Sequence, residues 1–150
     1  MTQFERFKAQ MAVLVPLVRK LRDELGREKA DTIVADALDE ANRAHGARLA
    51  ERGVSVDGLE RGMAAFAAGE ALAYEVVERD EARFDFDVTR CAYAEHMDRI
   101  GARDLGPLLV CRADIPTAEG MGVDFARSQT IMQGAPCCDF RYRLRGSGRV

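Results

Sequence analysis

Cys111 and Asp114 stand three residues apart in Leu109-Val-Cys-Arg-Ala-Asp114, with Arg112 between them. Three residues is close to one helical turn, so a helix here puts a thiol and a carboxylate on one face. A thiolate is a strong nucleophile once a neighbouring cation lowers its pKa, and Arg112 is adjacent in sequence. Asp114 has two roles open to it. It can activate water, or it can hold a cationic ligand group by hydrogen bonds. The plainer alternative makes Cys111 a small buried hydrophobe, the commoner fate of a free cysteine.

Further candidates lie on either side. Cys91, Tyr93 and Glu95 follow one another where an alternating segment gives way to a helix. Side chains at a strand end often enter a site, and Glu95 is a candidate general acid or base. A first-turn carboxylate favoured by the helix dipole is its structural alternative. Cys138 and Asp139 open the last apolar run, and Thr130 precedes the Gln133–Pro136 turn signal. Cys138 is expected to face the helices, near Cys111 or as core filling. Asp139 opposite Thr130 is either a ligand contact or a cross-strand hydrogen bond. Arg90, Arg112 and Arg127 are candidate forks for a ligand carboxylate. No metal or cofactor is expected. The chain has no CxxC, no HxxxH, no P-loop and no dinucleotide fingerprint, and adjacent Cys137 and Cys138 on a strand point to opposite faces.

The elements that must position these groups follow from periodicity. Phe4, Phe7, Met11, Leu14, Val18, Leu21 and Leu25 form a helical stripe, with Pro16 predicting a kink or a late start and Gly26 a cap. Lys29–Glu51 reads as a second helix with a small-residue face, and Val56–Val77 as a third. Residues 1–80 therefore form a helical scaffold, and a homodimer through the first helix fits its heptad stripe. Arg83–Cys91 alternates strictly and reads as a half-buried strand. Short helices are predicted over Ala92–Ile100 and Leu108–Glu119, the second strained by Pro116. Alternation from Val123 to Ile131 and from Cys138 to Leu144 predicts a hairpin with Thr130 opposite Asp139 and Ile131 opposite Cys138. The expected fold is a single α+β domain over 1–150, with N-terminal helices packed on a small antiparallel sheet that ends in a C-terminal β-hairpin.

Several of these segments together carry a resemblance. Thr130-Ile-Met-Gln-Gly134, Cys138-Asp-Phe140, Thr89-Arg-Cys-Ala-Tyr-Ala-Glu95, Leu109-Val-Cys-Arg-Ala-Asp114 and Glu119-Gly120 resemble, in order and spacing, the L-2-amino-thiazoline-4-carboxylic acid hydrolase family. The likeness covers roughly the last half of the chain. In relatives the residue before Cys-Asp-Phe is often His; here it is Cys137. The element order also resembles small-molecule-binding domains of the 4-vinyl reductase type. The family resemblance implies a cofactor-independent hydrolase of a small cyclic or linear C–N bond of thiazoline or amidine type. Its substrate would be 2-amino-thiazoline-4-carboxylate, opened to N-carbamoyl cysteine. For that chemistry the sequence offers Cys111, Asp114, Cys138 and Glu95 as candidate catalytic residues and Tyr93, Cys91, Thr130, Asp139 and Arg112 as candidate substrate contacts, and the hydrolase reading predicts a closed pocket lined by Cys111, Asp114 and the inner ends of the strands. The alternative is a non-catalytic small-molecule-binding or sensory domain on the same fold.

Composition limits the remaining classes. A net charge of −3 argues against a nucleic-acid partner, and the basic run of Arg141, Arg143, Arg145 and Arg149 reads as a solvated strand face. No apolar run approaches a membrane span, and no secretory signal is visible. Four cysteines in that setting read as thiols in a reducing cytoplasm.

Overall fold

Thr2 starts the first helix. Its side chain accepts from the Glu5 N–H while Glu5 returns a bond to the Thr2 N–H, a complete capping box for α1 (Gln3–Leu25). In this computed structural model, which describes residues 1–146, α1 therefore begins at its first opportunity and runs through Pro16, and does not start late. Gly26, at φ 84°, makes the reversal into α2 (Arg27–Ala50), and Arg22 pairs with Asp31 across it at 2.8 Å.

The third helix, α3 (Val56–Ala67), stops well short of Val77. Gly69 and Glu70 take positive φ, and Leu72–Arg79 forms strand β1. Leu72 and Val76 fit a helical i, i+4 spacing, but Leu72, Tyr74 and Val76 fit period two equally well. Tyr74 and the Val76-Val77 pair favour the strand, so the N-terminal 80 residues are not wholly helical. Strand β2 (Arg83–Cys91) falls where alternation predicts it, with Phe84, Phe86 and Val88 buried.

Helix α4 (Ala92–Arg99) follows directly, capped by the Cys91 sulfur. The expected Leu108–Glu119 helix is instead two: α5 (Gly106–Leu109), a 3-10 turn at Cys111–Ala113, and α6 (Asp114–Met121). Pro116 explains the break. In a continuous helix its ring would clash with the Arg112 carbonyl, whereas restarting at Asp114 places it in the first turn, where no N–H is needed.

The sheet order is β1-β2-β4-β3, all antiparallel, with β3 at Val123–Ala126 and β4 at Cys138–Leu144. The C-terminal hairpin is present in a different register. Phe125 pairs with Tyr142 and Ala126 with Arg141, after which the chain leaves the ladder until Cys138. Thr130 does not oppose Asp139. It caps a 3-10 turn at Ile131–Gln133, accepting from Gln133 N–H at 3.2 Å. The Asp139 carboxylate causes the departure by accepting from Ser128 N–H and Gln129 N–H, each at 2.9 Å, and from the Ser128 hydroxyl. Ile131 still reaches Cys138, donating its N–H to the sulfur at 3.1 Å.

One sheet face is apolar, with Phe84, Phe86, Cys138, Phe140 and Tyr142 beside Val56, Leu59 and Met63 of α3. A second cluster joins α1 to α4 and α5 through Phe7, Met11, Val18, Tyr93, Met97 and Leu105. Leu72, Cys91 and Ile131 touch both clusters. The opposite sheet face is ionic: Arg141 meets Asp87 at 2.9 Å, Arg143 meets the buried Asp85, and Arg145 meets Asp124 at 2.9 Å. The basic run is thus matched by acids of neighbouring strands as well as by solvent. Arg149 lies outside the described residues.

Candidate functional site

Arg127 organises the region where α6 meets the sheet. Val123, Phe125 and Arg127 share one face of an extended segment, so Arg127 projects over the apolar side of the sheet. Its guanidinium lies 5.4 Å from the Phe125 ring centroid and 5.2 Å from that of Phe140. One nitrogen, Nη1, donates to Asp114 Oδ2 at 2.6 Å, and Nη2 donates to the Cys111 carbonyl at 3.0 Å. The break between α5 and α6 makes this possible. It turns the Cys111 carbonyl and the first residue of α6 toward the same cation.

The Arg127 side chain is 9% exposed and that of Asp114 35%, so the carboxylate is the solvent-facing member and the cluster is open on its side. The closed pocket expected around Cys111 and Asp114 is therefore not the arrangement found. Among the described residues Asp114 Oδ1 accepts no hydrogen bond, while Oδ2 is held by Arg127. Burial pushes the Asp114 carboxyl up against the opposing pull of Arg127. The Cys111 thiol is pushed up to about 12, first by burial and then by Asp114, Cys138 and Cys91, with Arg127 acting the other way. Tyr142, half-buried on the same face, is kept a phenol by burial and by the Asp114 charge.

Cys138 and Cys91 complete the surroundings. Each thiol is pushed up by burial, and each is tied to backbone: Cys138 accepts from Ile131 N–H, Cys91 from Ala94 N–H at 3.4 Å. Both bear on the charge of Cys111, so the three sulfurs share one neighbourhood. Among the described residues no group of three His, Cys, Asp or Glu side chains is arranged to hold a metal ion.

The family model described as L-2-amino-thiazoline-4-carboxylic acid hydrolase matches residues 6–142. The chain belongs to that family. The match takes in the N-terminal helices as well as the motif-bearing half. No curated protein sequence matches the chain significantly. Among solved structures, the phenol-responsive sensory domain of the transcription activator PoxR, crystallised with phenol, aligns over 89% of this chain and 74% of its own, with a TM-score of 0.51 and 17% identity. That likeness concerns the fold alone.

In this member of the hydrolase family the remaining sequence candidates sit apart from the Arg127 cluster or serve as structure. Arg112 turns away from Cys111 and grips Asp39 of α2 with two bonds, at 2.9 and 2.6 Å. The cation beside the thiol is Arg127. Glu95 is exposed and held by Arg90 at 3.1 and 2.8 Å. Tyr93 is buried among Phe4, Phe7 and Phe66 and donates its hydroxyl to the Phe66 carbonyl at 2.9 Å. Thr130 and Asp139 shape the loop before β4, and hydrogen bonds from Ser128 and Gln129 outweigh burial to hold Asp139 below its ordinary range. Cys137 lies beside the Gln129 amide, which donates to its sulfur at 3.3 Å. Tyr142 was not singled out by sequence, because an aromatic at period two from Phe140 is indistinguishable from core. Two open grooves on α2, one reaching Leu108 and Arg112 and the other Leu25 and Ile33, include no residue of the cluster.

Proposed function

We propose that the chain hydrolyses a small cyclic amidine of thiazoline type, opening 2-amino-thiazoline-4-carboxylate to N-carbamoyl cysteine at the Arg127–Asp114–Cys111 cluster. Family membership over residues 6–142 carries this reading. The cluster supports the choice of residues.

The bond that breaks is the one between the amidine carbon and the ring sulfur. Burial pushes the Cys111 thiol up to about 12, which favours water over sulfur as the attacking group. Asp114 Oδ1 takes a proton from that water as its oxygen adds to the amidine carbon. The carbon–sulfur electron pair then leaves with sulfur, and the proton on Asp114 passes to it, giving the free thiol. As the carbonyl of the urea forms, the remaining hydroxyl proton goes to solvent, and the three N–H protons of the amidinium stay on the two urea nitrogens. The Tyr142 phenol is the donor best suited to support the departing sulfur. Cys111 packs against the reacting carbon and gives its carbonyl to Arg127.

A second reading, a ligand-binding sensory domain, is favoured by the shared fold with a phenol-responsive domain. Intact-protein mass spectrometry during incubation with 2-amino-thiazoline-4-carboxylate separates the two. Ring-opened product without a protein adduct is the expected result. A transient adduct on Cys111 would move the attack to sulfur, and no product from folded protein would favour the binding domain.

A further inference from the structure

We infer that the solvent face of α1 is an interface between two copies of this chain, packed antiparallel across a two-fold axis at the level of Val15. The heptad stripe that the sequence offers for pairing is not the surface concerned, because Phe7, Met11 and Val18 are buried inside the protomer. The opposite face is what remains open. From Ala9 to Val18 no residue of α1 is charged, and Ala9, Ala12, Val13, Pro16 and Leu17 are all exposed, Val13 at 67% and Leu17 at 51%. One helical turn separates Val13 from Leu17, so the two form a single apolar ridge midway along the helix. Scattered singly, such residues need no explanation; contiguous on one helix face, they mark a surface that another one covers.

Charge decides the occupant. At the N-terminal end of the face Arg6 makes no ion pair among the described residues and donates only to the Gln3 side chain, at 3.4 Å. At the other end stands Glu24, held by the exposed Lys20 one turn back. Arg6 and Glu24 are five full turns apart, so they lie on the same side of the helix and about 27 Å from each other, too far to meet within one chain. A second copy brings them together. With the two-fold level with Val15, Val13 packs on the partner's Leu17, and Arg6 meets the partner's Glu24 at both ends of the seam. A parallel pair would instead set Arg6 against Arg6 and Glu24 against Glu24. A membrane surface fits less well, since Glu5, Asp23 and Glu24 flank the ridge, where an interfacial helix carries lysine and arginine.

Sedimentation equilibrium of the full chain tests this. The wild type should form a dimer with a dissociation constant on the order of 10 µM and come apart on dilution. Val13→Lys/Leu17→Lys should weaken that dimer about a hundredfold or more with the far-UV circular dichroism unchanged, since both side chains face water in the protomer. Arg6→Glu alone and Glu24→Arg alone should each weaken it on the order of tenfold, by setting like charges together at both ends of the seam. Mixed in equal amounts, these two variants should recover wild-type association, because every charge pair across the seam is then of opposite sign. An effect confined to one protomer would not be cured by mixing. A wild type that stays monomeric at concentrations on the order of 10² µM overturns the inference. So does a dimer that survives the paired lysine change, or a pair of charge variants that gains nothing from mixing. Monomeric protein that co-sediments with phosphatidylglycerol vesicles would also overturn it, giving the face to a membrane surface.

Discussion

The α2–α6 seam and the Arg127 cluster are joined by the same short helix, yet they use side chains in opposite ways. In the seam there is almost no side chain to use. A Cβ on Gly46 would lie 2.1 Å from the Thr117 carbonyl oxygen, and one on Gly120 would lie 2.1 Å from that of Arg43. Backbone rests on backbone, and the ion pair nearby, Arg43 with Glu119, is half exposed. At the other side of α6 the chain brings a guanidinium, a carboxylate, a thiol and a phenol together beside the apolar face of the sheet. Packing alone does not call for such a set, since apolar residues of equal size would fill the space at lower cost. The seam holds α6 in place, and the cluster is what that placement serves.

The largest expected effect is in the seam. Gly46→Val or Gly120→Val must push the two helices apart, lowering stability by about 3 kcal/mol or more in urea unfolding. A loss under about 1 kcal/mol would mean that the helices separate easily and that the close approach fixes nothing. Next comes the cluster. Arg127→Met strands Asp114, and because that carboxylate keeps some solvent the cost should be about 2–3 kcal/mol, below that of a fully buried pair. Adding Asp114→Leu should restore most of it while leaving no activity. Failure of the second change to rescue the first would show that Arg127 acts chiefly through its aromatic contacts.

A smaller effect belongs to His96, whose buried Nδ1 has no hydrogen-bond partner among the described residues and whose ring packs on Phe4 and Phe7 of α1. Burial, then Arg99 and Lys8, hold its pKa below 6.5. The unfolded chain therefore binds the proton more readily. The His96 contribution is complete above pH 6.5 and is lost as pH falls from there toward the folded value. Urea midpoints of wild type and His96→Gln between pH 7.5 and about 5 should converge on acidification; parallel curves would remove His96 from the account. The smallest effect is expected for Glu95→Gln. It breaks an exposed pair with Arg90, so stability should change by less than about 1 kcal/mol and turnover not at all. A loss of turnover would return Glu95 to the site.

Much of this arrangement was legible as pattern. The alternation of Arg83–Cys91 gave a strand, and the α1 stripe gave a buried face, because period and burial are local properties. The class, helices on an antiparallel sheet with a terminal hairpin, followed from them. What escaped was set by long-range contacts. Asp139 draws Ser128 and Gln129 out of the ladder, which no propensity of residues 127–131 announces. Arg112 neighbours Cys111 in sequence, but its partner Asp39 is far back in α2. Arg127, distant in sequence, is the cation that arrives. The pairing of Cys111 with Asp114 was readable as spacing, whereas the raised pKa of the thiol is a property of its burial.

The central claim is that Asp114 works on water while Cys111 does not attack. Initial rates of ring opening of 2-amino-thiazoline-4-carboxylate by wild type, Asp114→Asn and Cys111→Ala test it most directly. The account predicts that Asp114→Asn loses about 10²- to 10⁴-fold in kcat with the fold intact, while Cys111→Ala keeps most of its rate. A folded Cys111→Ala protein without activity, or an Asp114→Asn protein at full rate, would contradict it.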